Sequence, residues 1–223
     1  MIPLRDVIPS RTTPFITITI IVLNAAAWLF EIGLPDDVRQ AFLTVYGVVP
    51  ADFHAPTLIT SMFLHGSWMH VIGNMWYLWI FGDNVEDRLG HGRFILFYLA
   101  CGIIAALGQV LADPSSTLPT IGASGAIAGI MGGYFVLYPR SRVLTLILLI
   151  FWWEVFELPA IVLLGFWFLM QLFSAAGSIA VTSGTHGGGG VAFMAHVAGF
   201  VAGMIGVFLV GARPVRTWDD SYY

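Results

Sequence analysis

The chain has 223 residues, 58% of them hydrophobic and 10% charged, with a net charge of −4 and a mean hydropathy of +0.85. Soluble domains carry roughly 25% charged residues, so this composition indicates an integral membrane protein. All nine cations are arginines with no basic face for nucleic acid, and the single cysteine, Cys101, rules out an internal disulfide and gives no metal-ligand pattern.

Residues 1–13 form a short polar segment with Arg5 and Arg11. An apolar run from about 14 to 30 predicts the first spanning helix, capped by Thr12 or Thr13, with Pro14 in its first turn. Residues 32–34 extend it toward the ~20 residues a span needs. The run lacks a small-residue cleavage site and reads as a retained helix. Residues 35–66 form a long connection; Asp36, Asp37, Arg39, Asp52 and His54 keep it out of the hydrocarbon, and its apolar stretch 58–64 suits the interface.

The second helix runs from about 67 to 81, followed by a polar stretch at 82–90. The third spans about 94–111, and Asp113-Pro114-Ser115-Ser116 is a turn. The fourth covers about 120–138 and ends at Pro139. Residues 143–176 are apolar except for Glu154, Glu157 and Gln171, too long for one span. Glu157-Leu158-Pro159 divides them into a short lead-in helix at 143–156 and a fifth span at 158–175. A glycine-rich loop at 177–190 precedes a sixth helix at 191–210 and a polar tail.

Six spans put both termini on one side. That side then holds Arg5, Arg11, Arg88, Arg93, Arg140, Arg142, Arg213 and Arg216, and the other only Arg39. Arginine excess marks the cytoplasmic face, so both termini are expected there, in a cell inner or plasma membrane. Five or seven spans would spoil the partition.

Polar groups inside such helices are costly and are functional candidates by default. Ile121-Gly122-Ala123-Ser124-Gly125-Ala126 opens the fourth helix with a serine between glycines. By itself this is a helix cap in a small-residue seam. His70 and Asn74 are four apart, share a face and lie in the first two turns of the second helix. His196 lies one or two turns into the sixth. Each of these helices starts outside, so all four groups fall at similar depth in the outer half of the membrane. A nucleophile, a base and two donors at one level are the parts of an acyl-transfer site. Gly125, Gly129 and Gly133 on the fourth helix, and Gly199 and Gly203 on the sixth, have the spacing that lets two backbones touch. His196 and Gly199 are three apart, which leans the imidazole over that seam toward Ser124.

The ordered set His65-Gly-Ser-Trp-Met-His70-Val-Ile-Gly-Asn74, Val85-Glu-Asp-Arg-Leu-Gly90, Gly122-Ala-Ser124-Gly125 and Ala195-His196-Val-Ala-Gly199-Phe-Val-Ala-Gly203 resembles the rhomboid intramembrane serine proteases of the basic six-helix type. The resemblance covers nearly the whole chain. It implies an all-α, polytopic six-transmembrane-helix rhomboid-like bundle over 14–210, flanked by cytoplasmic segments 1–13 and 211–223. It implies Ser124 as nucleophile and His196 as base, a dyad without an acidic third member. His70, Asn74 and the Ser124 N–H would form the oxyanion hole, with Gly122, Gly125, Gly129, Gly199 and Gly203 as packing positions. It implies transmembrane protein substrates, the lipid bilayer as surroundings, and no metal or cofactor. The family's Trp-Arg pair of the first long loop is absent; Pro56-Thr57 stands near its place.

Two alternatives stay open. A pseudoprotease of the same type would bind membrane helices without cutting them. A divalent-metal transporter would use His65, His70, His196 and Glu154, but leaves Ser124 and its glycines without a role. His65 reads as a structural hydrogen-bonder. His54, His91 and His186 read as loop residues, Glu86 and Arg88 as ties for the cytoplasmic loop, and Trp76, Trp79, Trp152, Trp153 and Trp167 mostly as lipid-facing or interfacial packing. Glu154 and Glu157 fit a lead-in helix at the interface. The glycines at 187–190 fit a flexible cap.

Overall fold

An apolar chain must pair its backbone N–H and C=O groups within itself, and a helix does so inside one segment. The computed structural model describes residues 1–149, 152–182 and 192–212. Among them the helices are α1 (Phe15–Ile32), α2 (Asp36–Tyr46), α3 (Thr57–Thr60), α4 (Trp68–Leu89), α5 (His91–Ala112), α6 (Ser124–Leu137), α7 (Ala160–Thr182) and α8 (Phe193–Leu209). Tight 3-10 turns at Pro50–Asp52 and Ser61–Phe63 flank α3. Helices α1 and α5 and residues Ala160–Gly177 of α7 are long and apolar enough to cross a membrane, while α6 and α8 are apolar but shorter. The glycine tract with His186, and Arg213 and Arg216 of the tail, lie outside the described residues.

Helix α6 is the centre of the molecule. Ten of its fourteen residues, Gly125 through Tyr134, are buried. Its glycine face meets α8 backbone to backbone. A Cβ on Gly199 would stand 2.1 Å from the Gly125 carbonyl oxygen, and one on Gly203 would stand 1.8 Å from that of Gly129. No side chain fits such gaps, so this crossing exists only because both faces are glycine. On its other flank Gly129 packs on Cys101 of α5, 2.4 Å from where its own Cβ would be. Phe81, Phe94, Tyr98, Ile130, Met131 and Phe200 fill the core around it.

The all-α expectation is corrected by a small antiparallel sheet, β1 (Ile2–Asp6), β2 (Arg142–Leu149) and β3 (Trp152–Pro159), in the order β1-β2-β3. Ile2 pairs with Leu146 and Asp6 with Val143; Arg142 pairs with Pro159 and Leu149 with Trp152. The lead-in at 143–156 is therefore not a helix. Glu154 and Glu157 sit in β3, and Glu157 meets Arg142 at 3.1 Å on the surface. Val143, Thr145, Ile147, Val155 and two adjacent tryptophans are residues that favour strands. In a continuous apolar run, periodicity does not separate strand from helix.

The polar stretch 82–90 is also helical. It continues α4 to Leu89, and Gly90, at φ 76°, makes the turn into α5. Its carboxylates reach the N-terminal segment instead of breaking the helix. Buried Glu86 accepts from the Ile16 and Thr17 N–H groups at 2.9 and 2.8 Å, and from the Thr17 hydroxyl at 2.8 Å. These are orphan donors of the first turn of α1, so a carboxylate from α4 caps that helix and complements its dipole. Neither Thr12 nor Thr13 caps it; Thr12 bonds Asp87, as does the Arg11 N–H at 2.6 Å. His91, expected in a solvated loop, opens α5 with Nδ1 2.5 Å from Glu86.

Candidate active site

Two backbone ties set the entry to α6. Val48 and Thr120 exchange backbone hydrogen bonds at 3.0 and 2.8 Å, and the Gly122 N–H donates to the Ser61 carbonyl at 2.8 Å. Gly122 has φ +119°, a conformation that side-chain-bearing residues avoid. A Cβ there would lie 2.6 Å from His70 Nε2 and 3.6 Å from Asn74 Nδ2. Gly122 thus stands ahead of α6 against the two α4 side chains, not in the α6–α8 seam where Gly125, Gly129, Gly199 and Gly203 stand. The helix-cap position is Ala123, which makes no side-chain cap, and Ser124 is the first helical residue.

The Ser124 hydroxyl meets α8 instead. Its Oγ lies 2.8 Å from His196 Nε2, although the two residues are 72 apart in sequence. On the far side of the ring, His196 Nδ1 lies 2.8 Å from Gln171 Oε1 of α7. The Trp167 ring, one turn earlier on α7, is tilted against the imidazole at 5.8 Å between centroids and packs also on Phe200. Trp167 is therefore a half-buried neighbour of this site.

The α4 side of the site is held by its own network. Ser67 caps α4, its Oγ accepting from the His70 N–H at 3.2 Å. The Gly66 N–H donates to His70 Nδ1 at 3.4 Å. A nitrogen that accepts carries no proton, so the proton of the neutral ring is on Nε2, the atom facing Gly122. Asn74 Nδ2 lies 3.0 Å from His65 Nε2. His65, outside the helices and fully buried, has its pKa lowered to about 4 by burial first and by nearby His70 second. It is neutral at physiological pH and accepts from the Asn74 amide, whose second N–H stays available.

His65 is itself clamped. Its N–H donates to both oxygens of Glu31 at 3.3 Å, and Glu31 is buried at the end of α1. Arg39 of α2 donates to the carbonyls of His65 and Gly66 at 3.3 Å and lies over the Trp28 ring at 5.1 Å. Sequence reasoning singled out neither Glu31 nor Gln171 as a site residue. Each was visible as a polar residue in an apolar run, which signals that a partner exists without naming it.

The His65 and His70 rings meet edge to face at 4.9 Å between centroids, but among the described residues no three His, Cys, Asp or Glu side chains are grouped to hold a metal ion. What does gather is a hydroxyl on an imidazole, beside two neutral N–H donors and the start of a helix. Such a set suits attack on a carbonyl.

Three helices fit to cross a bilayer, and a polar cluster set among apolar helices, define an integral membrane protein. The rhomboid domain model matches residues 53–213, and the chain belongs to the rhomboid family. It is 28% identical over 210 residues to rhomboid-like protein 11, chloroplastic, of Arabidopsis thaliana, an alignment covering 89% of this chain and 69% of that protein. It is 34% identical over 127 residues to YdcA of Bacillus subtilis (56% of this chain, 62% of that one). With rhomboid protease GluP of the same organism it shares 38% over 85 residues, covering 38% of this chain and 16% of the relative. The chain thus spans only part of the relatives it matches, some named proteases and others only rhomboid-like.

Proposed function

We propose that the protein is an intramembrane serine endopeptidase that cuts transmembrane or membrane-adjacent segments of other membrane proteins. The observation that carries this reading is the 2.8 Å contact between Ser124 Oγ and His196 Nε2. Ser124 Oγ attacks the peptide carbonyl while its proton passes to His196 Nε2. The new C–O bond leaves the carbonyl oxygen negative, and it is held by His70 Nε2–H, the free Asn74 N–H and the Ser124 backbone N–H at the start of α6. Collapse breaks the C–N bond, and the leaving amine takes the proton from His196. Water then attacks the acyl-enzyme, gives a proton to His196, and releases the acid and free Ser124.

In this reading α1, α4, α5, α6, α7 and α8 are six spans within a catalytic unit at 14–210, with 1–13 and 211–223 cytoplasmic. The arginine partition supports that orientation: Arg5 and Arg142 lie in the sheet, Arg88 and Arg93 at the α4–α5 turn, and Arg39 beside His65. The site then opens to the outer side. Substrate helices must unwind locally to present a carbonyl, because their peptide groups are internally bonded.

The test is Ser124→Ala in purified, detergent-solubilised protein. Cleavage of a model transmembrane substrate and labelling by a fluorophosphonate are both expected to vanish, with the melting temperature kept. Cleavage by that variant ends the serine-protease reading. A wild-type protein that binds membrane helices but neither cleaves nor labels is the pseudoprotease.

A further inference from the structure

We infer that Gln171 of α7 is the third member of the catalytic constellation, a neutral positioning residue that fixes the tautomer and the ring orientation of His196. The inference rests on the serine-protease reading of Ser124 and His196, and it supplies what a two-residue dyad lacks.

The argument starts from proton bookkeeping. His196 Nε2 can take the Ser124 proton only if that nitrogen is bare, so the single proton of the neutral ring must be on Nδ1. The free imidazole does not enforce this, since both tautomers are accessible. An acceptor on the Nδ1 side does. Gln171 Oε1 lies 2.8 Å from Nδ1, and an amide oxygen accepts a hydrogen bond but donates none. The same contact becomes stronger when His196 is doubly protonated after the attack, because the donor then carries charge.

Three further observations agree. Gln171 is the one amide side chain in the apolar stretch 160–175 of α7, where Ser174 is the other polar residue, and a polar group there is retained for a partner. Trp167, one turn earlier on the same face of α7, flanks the imidazole. Together Trp167 and Gln171 restrict rotation of the ring about its Cβ–Cγ bond. Ser124 occupies the opposite nitrogen, so the ring has one partner for each of its two roles.

The experiment uses the full chain with two substitutions. Gln171→Met keeps the length and suits a lipid-exposed helix but has no oxygen to accept from Nδ1. Gln171→Glu restores an acceptor oxygen at the same reach. For Gln171→Met, kcat on a model transmembrane substrate is expected to fall about 10- to 100-fold, with KM within about twofold of wild type. Fluorophosphonate labelling of Ser124 slows by a similar factor, and the melting temperature stays within about 3 °C. Gln171→Glu recovers most of the rate. In ¹⁵N spectra of labelled histidine, wild-type His196 reports the Nδ1–H tautomer, and Gln171→Met a mixture. Wild-type kcat in Gln171→Met overturns the inference, as does an equal loss in both variants or an unchanged tautomer. If the wild type itself neither cleaves nor labels, the protease reading falls, while the tautomer measurement still decides whether Gln171 positions His196.

Discussion

Helix α8 packs on α5 and, to either side, on two unlike neighbours, α6 and α7. On one flank α6 lies so close that glycine faces carbonyl across the seam. On the other, α7 touches α8 through side chains, chiefly Trp167 and Phe168 on Phe200 and Gln171 on His196. Of the described side chains of α7 only Ala160, Leu163, Leu164 and Ala175 are buried, whereas α6 is enclosed along most of its length. The difference teaches how one helix can be held rigidly on one side and loosely on the other. In the proposed reading the attacking pair, Ser124 and His196, sits on the flank where backbone contact removes freedom. Gln171, proposed to orient the base, comes from the flank where α7 keeps most of its apolar side chains exposed.

The largest effect should come from forcing the tight flank apart. In Gly199→Val the new side chain meets the Gly125 carbonyl, and backbone cannot step aside as a flexible side chain can. The loss is expected to be about 3 kcal/mol or more, with cleavage falling alongside because Ser124 and His196 separate. A variant that melts and cleaves like the wild type would show that the seam does not set the site.

A second test asks whether α4 serves chemistry or packing. Asn74→Ala removes one donor from the proposed oxyanion position and is expected to lower kcat by about one to three orders of magnitude, with KM near wild type. Its partner His65 keeps Glu31 and Arg39, so the melting temperature should move little. A large fall in melting temperature, with normal kcat in the folded fraction, would make Asn74 a structural residue instead.

A third test concerns the far end of α6, which is fixed by a charge-sensitive contact. The Tyr134 hydroxyl donates to Asp6 of β1 at 2.7 Å. Burial, with nearby Asp83 adding, outweighs that hydrogen bond and raises the Asp6 pKa from its ordinary 3.8 to about 7. The folded state therefore holds a proton that the unfolded chain releases. The Asp6 contribution to stability is full below about pH 4 and is lost as pH rises through about 7. Asp6→Asn should flatten this slope in melting temperatures recorded from pH 4 to 8. An unchanged slope would place its origin in another group.

The mildest change is Gly165→Ala on α7. A Cβ there meets only a Phe135 ring carbon, at 3.6 Å, which is ordinary contact. Alanine is the better helix former, so stability should hold or rise by about 0.5–1 kcal/mol. A clear destabilisation would mean that α7 packs as tightly as α6, and would cancel the contrast between the two flanks.

Some of this molecule was legible in the order of its residues. Apolar runs marked where α1, α5, α6, α7 and α8 lie, because a backbone in hydrocarbon has few ways to pair its polar groups. Ser124, His196, His70 and Asn74 stood out as polar residues in costly places. The helical continuation of α4 through Asp83, Glu86 and Asp87 was not legible, because those carboxylates are satisfied by the N-terminal segment some 70 residues away. The hairpin of β2 and β3 was not legible either, since an apolar run without alternation fits strand and helix alike. Composition and small-residue spacing by themselves determined a membrane protein with a close helix contact, because hydropathy and glycine act locally. Only the tertiary structure decided that Gln171 faces His196, that Glu31 and Arg39 hold His65, and that Gly122 meets His70. A polar side chain's sequence states that it needs a partner, and only the packing of distant helices supplies one.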